Sequence, residues 1–289
     1  MGLIKISVIL PTHSRPEQLK DCLRSLLKQE YPPSHFEVIV VDDSGTHYAR
    51  HLLREFRELS LRYIPHDRNK GVAAARNTGI QNARYPYVAL LEDDLVLPPE
   101  YLLTIHNYFR LPRLSVLRFR VNPVRRSFWA RVNQNYISDA AKTHERYELS
   151  DLPVLTACAL PIELVHKAGL LNEGFLRCSD TEYALRLRKH GISIHVYTGL
   201  TVQHAHRTRF LESLRQKYAW GTHIPKLHRM YPEYVHPQPR AYLYYVKRLF
   251  TASADQMLHE KNFIRAFLSL PSLFLLNAAW TLGVFRGTQ

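Results

Sequence analysis

The chain reads as an α/β protein: a parallel sheet with helices packed against it, followed by a helical C-terminal extension. Three observations predict this. Short apolar runs alternate with amphipathic stretches in β-α-β-α order, which calls for a parallel sheet. Each apolar run stops at polar or acidic residues: Thr12 and His13, Asp42 and Asp43, then Glu92 to Asp94. One edge of the sheet, at the carboxyl ends of the strands, therefore carries a site. Past residue 225 the composition shifts to prolines and tyrosines and then to a long apolar tail.

"IKISVILPTHSRPEQLKDCLRSLLKQ" is a strand, a proline turn and an amphipathic helix with Leu19, Leu23, Leu26 and Leu27 on one face. "FEVIVVDDSG" is a second apolar strand, stopped by two aspartates and a glycine. "LRYIPHDRNKG" gives a third short strand, and "VAAARNTGIQNA" a helix with small residues at its start. "YPYVALLEDD" is the fourth strand. Residues 110–131 hold seven arginines and no acid; charge alone favours a solvated surface loop, with a phosphate-facing surface as the alternative. "LTACALPIELVHKAGLLNEGFLRCSDTEYALRLRKHGISIHVY" gives a helix, a loop holding Ser179 to Glu182, a second helix and a strand.

Composition narrows the class. With 289 residues and 46% apolar content a sizeable core can form, which argues against disorder. A net charge of +14 points to acidic partners: nucleotides, nucleic acid or an anionic membrane surface. The three cysteines, Cys22, Cys158 and Cys178, are far apart and odd in number, so no disulfide framework follows and a reducing compartment fits. The N-terminal apolar run is too short for a signal peptide and reads as the first strand, so a cytoplasmic start is expected.

Glu92-Asp93-Asp94 poses the central problem, because three adjacent carboxylates at the end of a buried strand repel one another. A bound divalent cation would relieve this, since Mg²⁺ and Mn²⁺ prefer oxygen ligands. Alternate residues of an extended strand share a face, so Glu92 and Asp94 can act together while Asp93 points elsewhere. A solvated acidic turn capping the next helix is the plain alternative. In "NKGVAAARNTG", Gly71 and the alanines stand where a backbone approaches something closely. Arg76 at that helix start suits a phosphate or a carboxylate cluster; ordinary tight packing is the other reading.

Four stretches, "VILPTHSRPEQLKDCLRSLLKQ", "FEVIVVDDSG", "NKGVAAARNTGIQNARYPYVALLEDD" and "GLLNEGFLRCSDTEYALRLRKHG", stand in the order and spacing of family 2 glycosyltransferases. The resemblance covers about residues 4–225. It implies the GT-A fold, a nucleotide-sugar donor (UDP-, GDP- or dTDP-linked), Mn²⁺ or Mg²⁺, inversion at the anomeric carbon, and a saccharide or lipid-linked acceptor. It further implies that Pro11 and Thr12 line the nucleoside pocket and that Asp42 or Asp43 meets the base. Asn69, Gly71 and Arg76 fall in the donor motif. Glu92, Asp93 and Asp94 stand for the family's Asp-x-Asp, with Asp94 as metal ligand and Glu92 nearer the ribose. Asp180 takes the catalytic base position, with Glu182 in reserve; the plain reading of Asp180 is a helix N-cap. In "GLTVQHAHRTRF", His204 fits a metal or diphosphate ligand better than His206.

This divides the chain into a glycosyltransferase domain over 1–225, with a nucleotide-sugar half at 1–100 and an acceptor half at 101–225, and an extension over 226–289. Residues 266–285 form a 20-residue stretch without a charge. Pro271 argues against one straight helix; starting at Pro271, about 22 Å of helix would fall short of a ~30 Å hydrocarbon core. With "YLYYVKRLF" and "EKNFIRAF" ahead of it, the tail reads as interfacial, at the inner face of the plasma membrane, or as helices packing on the domain or a second subunit. Two other functions fit the sequence less well than a transferase. A nucleic-acid-binding module lacks a recognised motif and would set acidic strand ends against phosphate. A nucleotidyltransferase would want a glycine-rich loop after the first strand, where "LPTHSRPEQL" has none.

Overall fold

The computed structural model describes residues 2–111, 114–123, 147–149, 155–205, 210–233 and 263–287. The chain forms two compact units, one of Met1–Val124 with Asp139–Ala205, the other of Arg125–Ser138 with His206–Gln289.

The first unit is built on one mixed sheet. Its strands are β1 (Ile6–Thr12), β2 (Phe36–Asp42), β3 (Leu61–Pro65), β4 (Tyr87–Leu90), β5 (Leu95–Val96), β6 (Ser115–Pro123), β7 (Tyr147–Leu149), β8 (Cys158–Pro161) and β9 (Ser193–His204). The order is β3-β2-β1-β4-β8-β6-β9-β5, with β7 also on β9. The first four are parallel neighbours, as the β-α-β-α reading requires. Beyond β4 the sheet turns mixed, because β8 runs antiparallel to both β4 and β6. The order 3-2-1-4 reverses direction at β1, which opens a crevice beyond the carboxyl ends of β1 and β4, where open α/β sheets bind ligands.

Both faces of β1 and β2 are buried along their whole length, so these strands read as unbroken apolar runs instead of alternating ones. Ile6, Val8 and Leu10 point into one core with Leu19, Leu23 and Leu26 of α1 (Pro16–Leu27) and with Tyr101, Leu102 and Ile105 of α4 (Tyr101–Phe109). Ile9 points into the other, against Ala73, Ala75 and Ile80 of α3 (Val72–Gln81). The short α2 (Ala49–Leu52) follows β2. α5 (Ile162–Ala168) and α6 (Ser179–Lys189) complete the second face through Leu164, Tyr183 and Leu187.

Several expectations need correcting. Leu27 is exposed, and Cys22 takes the fourth core position on α1. The described middle of the arginine-rich segment is no surface loop: Ser115–Pro123 is the strand β6, between β8 and β9, and Arg118 is only 2% exposed. Alternation sends Leu117, Phe119 and Val121 to one core and Val116 to the other, a period-2 signal hidden by the interleaved arginines. Arg113, Arg125, Arg126 and Arg131 lie outside the described residues. Cys158–Pro161, read as helical, is the strand β8.

The second unit contains α7 (Phe210–Gly221), α8 (Ile224–Met230) and α9 (Phe263–Arg286). Pro271 does not start a helix; it lies inside α9, which runs 24 residues, about 36 Å at 1.5 Å per residue. α7 and α9 meet backbone to backbone. A Cβ at Gly221 would come 2.1 Å from the Trp280 carbonyl oxygen, and one at Gly283 2.1 Å from that of Tyr218. Among the described residues, no helix is long and apolar enough to cross a membrane. The aromatic-basic stretch 242–250 lies outside them.

Candidate active site

The crevice is lined from β1, β4 and β9. Thr12 ends β1, and its hydroxyl donates to Asp93 Oδ2 (2.8 Å) and meets the Tyr48 hydroxyl. Glu92, Asp93 and Asp94 follow β4. β5 then pairs antiparallel with β9, Leu95 facing His204, and the Ala205 amide donates to the Asp94 carbonyl (2.8 Å). That pairing brings a histidine more than a hundred residues distant alongside the acidic turn.

The three carboxylates part as alternation predicts. Asp93 turns towards Thr12 and Arg15. Glu92 and Asp94 turn towards His204, whose Nε2 lies 3.0 Å from Asp94 Oδ1 and 3.8 Å from Glu92 Oε2. One ligand atom from each of Glu92, Asp94 and His204 falls within a 4.8 Å cluster able to hold a metal ion. Asp94 Oδ1 is buried and accepts no well-directed hydrogen bond, although the His204 ring is close. His206 lies outside the described residues.

The positive partners of the acidic turn are side chains. Arg15 Nη1 donates to Asp93 Oδ1 (3.0 Å) and Asp94 Oδ2 (2.9 Å). Arg76, itself 2% exposed, donates to Glu92 Oε1 (3.2 Å); of the two partners suggested for it, the carboxylate is the one present. Sequence reasoning missed Arg15, although it is the one basic residue of "PTHSRPEQL" and stands just past the strand end.

The charges tune one another. Burial raises the Asp93 carboxyl against the pull of Arg15. Burial and the neighbouring Asp94 raise Glu92, to which Asp180 also contributes. Burial works to raise Asp94 as well, but His204 and Arg15 outweigh it and hold that carboxyl below its usual range. His204 is the counterpart: burial disfavours its charge, yet Asp94 and Glu92 raise it. Asp94 thus keeps its negative charge where Glu92 and Asp93 do so less readily.

Asp42 and Asp43 are buried and already hold donors. Asp42 accepts from the Ser44 and Ala49 amides (3.1 and 3.2 Å) and from the Tyr63 hydroxyl (2.9 Å). Asp43 binds the amides of Lys70 and Gly71 (2.8 Å each) and the His66 ring (2.7 Å). Asn69 is exposed and accepts from the Gly71 amide (2.9 Å). Pro11 precedes Thr12 in β1, beside Val41.

No protein atom crowds Gly71. It caps α3 at φ +93°, a backbone region that L side chains rarely adopt, and an added Cβ would meet only Leu176 at 3.8 Å. The close approach in that motif belongs to Gly79, where a Cβ would lie 2.2 Å from Ile9 Cγ2.

The two acids of α6 differ sharply. Asp180 does not cap the helix; Cys178, at φ +59°, holds the N-cap position and Asp180 is a half-buried first-turn acid. Glu182 is 1% exposed, and Arg186 donates to both its oxygens at 3.0 Å while also holding the carbonyls of Ala168 and Leu170. That pairing ties α6 to the end of α5 and leaves Glu182 no free access to a substrate.

Residues 7–168 match the family described as Glycosyl transferase family 2. The chain is a family 2 glycosyltransferase. Glycosyltransferase GlyA of Streptococcus pneumoniae serotype 4 is 26% identical over 223 residues, 65% of this chain and 31% of that protein. The chain therefore spans about a third of that curated relative's length. Solved structures share the fold. The mannosyltransferase PcManGT from Pyrobaculum calidifontis, in complex with GDP-Man and Mn²⁺, aligns at TM-score 0.69 and 18% identity, over 100% of this chain and 88% of that chain. S. aureus TarS 1–349 in complex with UDP aligns at TM-score 0.61 and 17% identity, over 99% of this chain and 92% of that chain. These likenesses establish the GT-A fold.

Proposed function

We propose that this family 2 chain moves a sugar from a nucleotide-sugar donor to a hydroxyl of a saccharide or lipid-linked acceptor, inverting the anomeric carbon. The observation that carries the reading is the Glu92–Asp94–His204 cluster at the carboxyl end of β4, with Asp180 close enough to influence Glu92. Two carboxylates and an imidazole, one oxygen without a directed donor, suit Mn²⁺ or Mg²⁺. Asp94 and His204 would hold the ion. We assign Glu92 to the metal side as well, beside Asp94. Such an ion neutralises charge on a departing diphosphate.

The chain's own groups supply the rest. Asp180 forms no hydrogen bond or ion pair among the described residues, so its carboxylate is available as base. It would take the proton of the acceptor hydroxyl as that oxygen bonds to the anomeric carbon and the bond to the diphosphate oxygen breaks. Arg15 and Arg76 hold the acidic turn in place. Asp43 is less buried than Asp42 and better placed to meet the base; Asp42 braces Tyr63 beneath it. PcManGT was crystallised with GDP-Man and TarS with UDP, which supports a GDP- or UDP-sugar; a dTDP-sugar rests on the sequence resemblance alone. We place the protein at the inner face of the plasma membrane, as a peripheral enzyme.

A thermal-shift screen of these donors, with and without Mn²⁺, tests the reading. A ligand at a hundred times its Kd adds about 2.7 kcal/mol of stability, so the true donor should raise the melting midpoint in a Mn²⁺-dependent way. Asp94→Ala should abolish that dependence while leaving the unliganded midpoint nearly unchanged. Metal-dependent binding that survives Asp94→Ala would move the metal site elsewhere, and no response to any nucleotide sugar would sink the donor assignment.

A further inference from the structure

The net charge is shared very unevenly between the two units. The second unit carries fifteen lysines and arginines against four acids in its sequence, a net +11 out of the chain's +14. The nucleotide-site unit is therefore close to neutral, and the basic character belongs to the helical one.

The same unit exposes an apolar stripe. On α9, Phe274, Leu275, Leu282 and Phe285 are 60%, 47%, 62% and 58% exposed. At 100° per residue they fall within an arc of about 100°. The opposite face carries Ser272, Leu276, Trp280, Gly283 and Val284, all buried, and meets α7 through Gly221 and Gly283. Both exposed phenylalanines among the described residues sit on this stripe. Four large side chains on one face of one helix make a patch that soluble surfaces seldom leave uncovered.

Charge decides the occupant. A second copy placed face to face would bring like charge against like. Nucleic acid would answer the charge and leave the phenylalanines in water. An anionic bilayer answers both, with headgroups for the lysines and arginines and acyl chains for the stripe. Crossing is disfavoured because α9 is in backbone contact with α7, whose Glu212, Arg215 and Lys217 would be costly in hydrocarbon. We propose that α9 lies in the headgroup boundary of an anionic membrane with Phe274, Leu275, Leu282 and Phe285 turned into the acyl chains. This rests on the peripheral placement proposed for the enzyme, and it holds whichever donor or acceptor is used.

The test is co-sedimentation of the full chain with vesicles of phosphatidylcholine, with and without phosphatidylglycerol. Wild type should bind the anionic vesicles and be released by high salt or an alkaline wash. The double variant Phe274→Ser/Leu282→Ser should bind about 10-fold more weakly or worse. Leu111→Ser, an equally exposed leucine of the first unit, should bind as wild type. Melting curves and Mn²⁺-dependent donor binding, measured on the same proteins without vesicles, should be alike, so loss of lipid binding is read separately from loss of the nucleotide site. Unchanged lipid binding by the double variant overturns the inference. So does attachment resisting both salt and alkali, which would mean a span. If the double variant instead turns a dimer into a monomer by light scattering, the stripe is a subunit interface and the inference fails.

Discussion

Arg15 shows how three consecutive carboxylates can share one strand end. Its guanidinium bridges Asp93 and Asp94, Arg76 reaches Glu92, and His204 faces Asp94, so each acid has a cation before any ligand arrives. The acids of α6 separate at the same scale. Asp180→Asn keeps the shape but removes the base, so kcat should fall roughly 10²-fold or more with donor affinity retained. Glu182→Gln removes the charge that anchors Arg186 and should cost about 2 kcal/mol of stability, with turnover per folded molecule preserved. Steady-state kinetics and melting curves on both variants separate these outcomes, and the reverse pattern would hand the base role to Glu182. Asp180 was legible in sequence as a candidate base. The burial of Glu182 was not, because the Arg186 at i+4 that engages it looks like any surface helix pair.

At the level of elements, the position of the crevice depends on the closeness of α3 to β1. Gly79 lets the helix backbone rest on Ile9, one turn along α3 from Arg76 and three residues along β1 from Thr12. Gly79→Ala would force a methyl into that contact and should destabilise the fold by about 1–3 kcal/mol, seen as a lower denaturation midpoint. A midpoint equal to wild type would show that α3 can lift away freely. The helix itself was plain in the sequence, whereas the choice of Gly79 over Gly71 as the tight contact was not. Both glycines sit in one motif, and only three-dimensional packing shows that Gly71 answers to its φ and Gly79 to its neighbour. β6 was hidden for a related reason: its arginines mask an alternation that becomes visible once both flanking strands are placed.

For the whole molecule, the boundary at Ala205 alters where the chain can be cut. A cut after residue 240 keeps α7 and α8 but removes α9, exposing Gly221, which is buried against Trp280 in the full chain. That fragment should aggregate or melt lower than one cut after Ala205, as size-exclusion profiles and melting curves would show. A well-behaved, monodisperse 240-residue fragment would mean that α7 and α8 do not need α9. Donor binding without the extension is best examined on the shorter fragment.

The sequence by itself determined the parallel half of the sheet, the order of the motifs and the acidic strand end. Each of these is local: an apolar run, a turn signal and the residues next to it are enough, and the period of a buried parallel strand needs no partner to be recognised. Tertiary structure alone decided which groups meet. His204 reaches Asp94 only because β9 pairs with β5, Arg15 reaches it only because β1 lies beside β4, and Pro271 stays inside a helix whose further turns pack on α7. Contacts between residues distant in the chain depend on strand order and helix packing, and no short window of sequence contains either.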